Sequence, residues 1–144
     1  MILFKKIRWK NFLSTGSQFV EIELNKSQMT LMIGANGSGK STLLDAICFA
    51  LFNRPFRQIK KEQIVNTINN GDTVVELEFQ VGTKNFKIIR GIKPSIFEIY
   101  SDGVLQNQNA SSVIINSTEE QIEQTEEIKS ASESISSNCF CVLP

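Results

Sequence analysis

Apolar and polar positions alternate from Gln18 to Leu24, with Val20, Ile22 and Leu24 apolar and Glu21 and Glu23 polar. A period of two over that length predicts a half-buried strand. Ile2 to Trp9 reads as a strand before it, ending in the polar turn Lys10-Asn11. Met29 to Ile33, after a turn at Asn25–Gln28, is a short continuous apolar run, as expected of a strand buried on both faces. From Lys40 to Phe52 the period changes. Leu43, Leu44, Ile47, Cys48 and Leu51 recur at spacings of three and four, which predicts an amphipathic helix. Asn53-Arg54-Pro55 ends it, because a residue before proline is pushed out of helical geometry.

Phe56 to Asn70 is mixed and partly basic, a loop with a short helix. A β-rich stretch follows. Val75, Leu77, Phe79 and Val81 share one face of Thr73–Val81, and Gly82 to Asn85 is a turn. Phe86 to Arg90 and Ile96 to Tyr100 are further strands, and Ser101-Asp102-Gly103 is a hairpin turn before Val104. The expected result is an antiparallel meander. Ser111 to Ser137 is low in complexity, with helical character only from Thr118 to Ile128. The chain therefore divides into a folded unit, 1–110, and a Glu/Ser-rich tail, 111–144, expected to be partly helical or disordered.

Length and composition fit one soluble domain: 144 residues, 41% hydrophobic and 21% charged. No apolar run reaches the roughly 18 residues of a membrane span, and Met1 to Lys6 lacks the order of a secretory signal. A cytoplasmic protein is expected. Net charge is zero, but residues 1–105 carry fourteen Lys/Arg against nine Asp/Glu, and 106–144 carry one Lys against six Glu. Basic residues cluster at Lys5, Lys6, Arg8 and Lys10, and again at Arg54, Arg57, Lys60 and Lys61. They are either solvated surface or contacts to nucleic-acid phosphates. Cys48 reads as core, and Cys139 and Cys141 lack the companions of a metal site.

Gly34-Ala35-Asn36-Gly37-Ser38-Gly39-Lys40-Ser41 matches G-x-x-x-x-G-K-S. Its glycines allow left-handed backbone and close approach to phosphates. Successive N–H groups then form a concave anion site at a helix N-terminus. Lys40 is placed to reach the β- and γ-phosphates, Ser41 to ligate Mg²⁺, and Thr42 to bond the α-phosphate. The apolar run before and the helix after supply the required setting. No apolar strand ending in an acidic pair follows the loop, and the chain has no histidine. Asp45 reads as a surface or capping residue, and Glu76 and Glu78 as solvent-facing. No catalytic residue is assigned.

The opening strand leading into Lys10-Asn11-Phe12, followed by Ile33 through Ile47, resembles the N-terminal half of an SMC-like ABC ATPase head. It is most similar to the SbcC-type ATPase subunit of the DNA double-strand-break repair and recombination nuclease. Leu51 to Arg57, Ile59-Lys60-Lys61 and Lys93 to Ile99 are similar to the T-even phage branch of that family.

The resemblance covers about Met1 to Ser111 and implies an α/β P-loop fold: a half-head with a mixed sheet, one main helix after the loop and an antiparallel β-meander lobe. It implies ATP and Mg²⁺ as ligands. The site it implies is Gly34, Asn36, Gly37, Ser38, Gly39, Lys40, Ser41 and Thr42, with Ser41 on the metal. Ser14 matches a nucleotide-contacting position, although Leu13 stands where the family often has Arg. Asn66 and Thr67 lie where the family approaches the base. Implied partners are a nuclease subunit, a second head or the missing C-terminal half, and DNA. In the family, the acidic and signature motifs for hydrolysis lie in the C-terminal half. Ser136 to Pro144 also lacks the family's Mg²⁺-contacting Gln. The chain thus reads as a truncated, interrupted or split version that binds ATP without hydrolysing it efficiently by itself. The alternatives are a non-catalytic half-head or remnant that regulates a partner, and a RecF-like recombination mediator.

Overall fold

The computed structural model describes residues 2–108, and the readings on the 111–144 tail, Cys139 and Cys141 among them, lie outside the described residues. The strands are β1 (Ile2–Lys10), β2 (Val20–Glu23), β3 (Thr73–Val81), β4 (Lys84–Ile92), β5 (Ile96–Ser101) and β6 (Val104–Gln108). They form one sheet in the order β2-β1-β3-β4-β5-β6, every neighbouring pair antiparallel. The helix α1 (Lys40–Phe52) has the bounds the periodicity predicts, and a 3-10 turn at Lys61–Ile64 supplies the short helix expected after it.

Register sorts the side chains. Ile7 lies opposite Leu77, Trp9 opposite Val75, and Leu77 opposite Ile88, so alternation collects them on one face with Phe79. Helix α1 packs there with Leu43, Ala46, Ile47, Phe49 and Ala50. Phe12 and Ile64 complete the core, with the Phe12 and Phe49 rings 5.8 Å apart. Burial reaches further round α1 than a single stripe, taking in Thr42, Leu43, Asp45, Ala46, Ile47, Phe49 and Ala50. Cys48 is half-buried, and burial raises its thiol pKa, with Asp45 adding to the effect.

Both helix ends have a physical cause. Gly39 begins α1 at φ 92°, and Asn53 ends it at φ 59° with its N–H bonded to Phe49 O at 2.9 Å. Arg90 Nε donates to Ala50 O at 3.0 Å, placing a cation on the last-turn carbonyls. Its guanidinium lies 4.0 Å from the Phe97 ring centroid, and burial lowers its pKa to about 10.

Three expectations are corrected. Glu76 is 8% exposed rather than solvent-facing, because Arg8 at 2.9 Å and Lys87 at 3.0 Å pair with its two oxygens. Burial pushes its carboxyl pKa up, but these two cations outweigh burial and hold it below the ordinary range. Asp45 is fully buried rather than on the surface, because Arg57 folds over it. Met29 to Ile33 is not a paired strand, and Met29 and Ile33 are 80% and 82% exposed. An apolar run becomes a two-face-buried strand only when neighbours bond both of its edges. Among the described residues the sheet edges are β2 and β6, and no strand lies beside this run. The sheet is therefore antiparallel within the described residues, where the loop strand was expected to make it mixed.

Three of the four basic residues of β1 are charge-paired, Lys6 with Glu21, Arg8 with Glu76, and Lys10 with Asp72, while Lys5 donates to the neutral Asn85 Oδ1. Among the described residues no helix is long and apolar enough to cross a membrane.

Candidate functional site

The loop leading into α1 is built as an anion cradle. Gly37 and Gly39 have φ of 81° and 92°, a region L side chains rarely adopt. A Cβ at Gly34 would lie 2.5 Å from Ser38 Oγ, so any side chain here requires the Ser38 hydroxyl to move. Ser38 N–H bonds Ala35 O at 3.1 Å and closes the turn. Helix α1 has no side-chain cap and no acidic residue in its first turn, which leaves its N-terminal N–H groups and dipole for an anion. Lys40 Nζ donates to the loop's own carbonyls, Gly34 O and, at 3.0 Å, Ala35 O.

These residues open on a pocket of about 700 Å³. Asn36, Gly37, Gly39, Lys40, Ser41 and Thr42 form the loop side of its lining. Leu13, Ser14, Val65 and Thr67 form the opposite side, and Arg57 and Gln63 complete the lining. Ser14 and Thr67, distant in sequence, thus line the same pocket as the loop. Gly34 and Ser38 are not among the lining residues. Among the described lining residues none is acidic.

The opposite wall is stitched together by buried amides. Leu13 N–H bonds Ile64 O at 2.6 Å, Asn66 N–H bonds Asn11 O at 3.0 Å, and Phe12 bridges Val65. Asn66 is 6% exposed. Its Nδ2 donates to Leu13 O and Thr15 O, both at 3.1 Å, and its Oδ1 accepts from Ile68 N at 2.9 Å and Asn69 N at 3.0 Å. That uses both amide hydrogens and both carbonyl lone pairs. Asn66 therefore sits beside the site as a brace, while Thr67 is the neighbour that lines the pocket. Asn11, with φ 50°, accepts on its carbonyl from Thr73 Oγ1 at 2.8 Å.

Sequence reasoning missed Arg57, Gln63, Leu13 and Val65 as lining residues. Arg57 was visible only as part of a basic run, and Leu13 only as the neighbour of Ser14. Val65 and Gln63 carry no motif, and the Phe12–Val65 pairing that places Val65 is a tertiary event. Among the described residues no cluster of three His, Cys, Asp or Glu could hold a metal, and Ser41, the residue expected on the metal, lines the pocket.

Comparison with known proteins places this geometry. The family model described as an AAA domain matches residues 6–143. Exonuclease subunit 2 of Escherichia phage RB69 is 48% identical over 107 residues, 74% of this chain and 19% of that protein. Its counterpart in Enterobacteria phage T4 is 45% identical over the same share of each. The DNA double-strand break repair Rad50 ATPase of Methanocaldococcus jannaschii is 36% identical over 62% of this chain and 8% of that protein. The chain thus spans about a fifth of the length of the two phage relatives. Among solved structures, the recombination mediator RecF with ATP superposes with a TM-score of 0.55 at 22% identity, over 85% of this chain and 33% of that one. An SMC ATPase chain, described for ATP-driven dimerization and DNA-stimulated activation, gives 0.53 at 17% over 88% and 99%. With the loop, helix and sheet so arranged and the family match running nearly from end to end, this chain belongs to the AAA domain family, with the fold of SMC and RecF ATPase heads.

Proposed function

We propose that this chain is the ATP-binding N-terminal portion of the ATPase head of a DNA double-strand-break repair and recombination nuclease. The observation that carries the reading is the Gly34–Thr42 cradle at the open N-terminus of α1, facing Ser14 and Thr67 across one pocket. The residues fit a triphosphate with Mg²⁺. Backbone N–H groups and the helix dipole bind phosphate oxygens. An entering phosphate offers Lys40 Nζ a charged acceptor in place of the neutral Gly34 and Ala35 carbonyls. Mg²⁺, when bound, neutralises charge on the phosphates, and the Ser41 hydroxyl is the group that would hold it. Ser14 and Thr67 present hydroxyls, and Leu13 and Val65 apolar surface, to the rest of the nucleotide. Asn66 acts through them by fixing the wall.

Hydrolysis then needs acidic and signature residues from outside the described residues. The exposed run of Met29, Leu31 and Ile33 supports completion by another part of the head, since its free edges and apolar side chains suit strand addition. A nuclease subunit and DNA complete the proposed assembly. With Lys6, Arg8 and Lys10 charge-paired, DNA contact would fall to Lys5, Arg54, Lys60 and Lys61. The test is turnover. The chain alone should bind ATP-Mg²⁺ yet hydrolyse it no faster than Lys40→Ala. Robust turnover by the chain alone overturns the division of labour.

A further inference from the structure

Outside the cradle, helix α1 carries a buried carboxylate, Asp45. This carboxylate lies in the second turn of α1, is 0% exposed, and is engaged only by Arg57 among the described residues. Arg57 N–H donates to Oδ1 at 3.0 Å. Arg57 Nε at 2.7 Å and Nη2 at 2.6 Å both reach Oδ2. One carboxylate thus fixes the main chain and side chain of a residue twelve positions away, in the irregular connection after the helix. The same side chain is 48% exposed and lines the pocket with Lys40, Ser41 and Thr42. A guanidinium has five N–H donors, so three remain for another acceptor.

We infer that Asp45 and Arg57 form a positioning pair, in which the buried carboxylate holds the Arg57 guanidinium as a second cation for the nucleotide phosphates beside Lys40. This rests on the proposed nucleotide site and deepens it. The connection after α1 carries no helix or strand at Arg57 and cannot aim the side chain unaided. Asp45, on the rigid helix that begins at Lys40, sets Arg57 and the cradle in one frame. The guanidinium's contribution then grows with phosphate charge and depends on a carboxylate that never touches the ligand.

The opposing reading is simple electrostatics, and it predicts the opposite sign. Removing a negative charge beside an anion site should tighten ATP binding. If Asp45 positions Arg57, Asp45→Asn should weaken it. The experiment is equilibrium binding of ATP, ADP and AMP to the full chain and to Asp45→Asn, Arg57→Gln, their double variant and Lys40→Ala, with circular dichroism as the folding control. Arg57→Gln is expected to weaken ATP by roughly tenfold, the scale of one charge-assisted bond, and AMP far less. Asp45→Asn should show the same ATP-selective loss, and the double variant should lose no more than Arg57→Gln, since the two act as a unit. A purely structural role would lower all three nucleotides equally. ATP affinity in Asp45→Asn that equals or exceeds wild type overturns the inference. Where Asp45→Asn fails to fold, the double variant, which buries no unpaired charge, decides: tenfold ATP-selective loss supports the pair and wild-type affinity refutes it. Wild type binding no better than Lys40→Ala marks failure of the nucleotide site itself. A clear Lys40→Ala defect with unaffected Asp45 and Arg57 variants marks failure of this inference alone.

Discussion

Asn66→Ala separates bracing from ligand contact. The side chain makes four hydrogen bonds within the fold, to Leu13 O, Thr15 O, Ile68 N and Asn69 N. At about 1 kcal/mol net for each, deletion would remove about 4 kcal/mol. Ile68 and Asn69 lie in an exposed turn whose N–H groups can return to water, which reduces the expected loss to about 2 kcal/mol. For a folded unit of this size that lowers Tm by roughly 10 °C. Thermal unfolding measures the stability, and parallel ATP and GTP titrations measure base preference. Both nucleotides should bind more weakly, in an unchanged ratio, as the wall bearing Ser14 and Thr67 loosens. Asn66→Asp should be no better, because a carboxylate cannot donate to the Leu13 and Thr15 carbonyls. An unchanged Tm together with an altered ATP-to-GTP ratio would show instead that Asn66 faces the ligand and does not brace the wall.

Other consequences follow from single positions. Gly34→Ala places a Cβ against Ser38 Oγ and should weaken ATP binding, while Gly34→Ala/Ser38→Ala, which removes that oxygen, should recover part of it in the same titration. Glu76, held by Arg8 and Lys87 below the ordinary carboxylate range, stabilises the fold fully above the unfolded-chain pKa and loses that contribution as pH falls through the lower folded value. Wild-type Tm should therefore drop on acidification below about pH 4, whereas Glu76→Gln should be less stable at pH 7 with a flatter acid limb. Arg90→Met removes the cation on the Ala50 carbonyl and should cost about 1 kcal/mol in denaturant unfolding.

What the sequence made legible was periodic. The bounds of α1 and β3 follow directly from spacings of three-to-four and two, because one face of each meets the core. The cradle was legible because its glycines and Lys40 are local necessities of backbone shape and charge. Three polar residues were not. Asp45, Glu76 and Asn66 are buried against partners that chain folding supplies: Arg57 twelve residues on, Arg8 sixty-eight residues back, and carbonyls more than fifty residues back. Periodicity assigns a face; it does not say that a cation on a neighbouring element makes burial of a carboxylate tolerable. Met29 to Ile33 shows the converse. Its apolar content predicts burial, but burial requires neighbouring strands that the described residues do not provide.

The central claim is that Gly34 to Thr42 is a working phosphate site, and titration of wild type and Lys40→Ala with ATP-Mg²⁺ tests it most directly. Lys40 bonds only loop carbonyls in the free protein, so its removal should leave Tm nearly unchanged. The Kd for ATP should rise by roughly tenfold or more, the loss of at least one charge-assisted phosphate contact. Equal affinity in the two proteins, with both folded, would contradict the account.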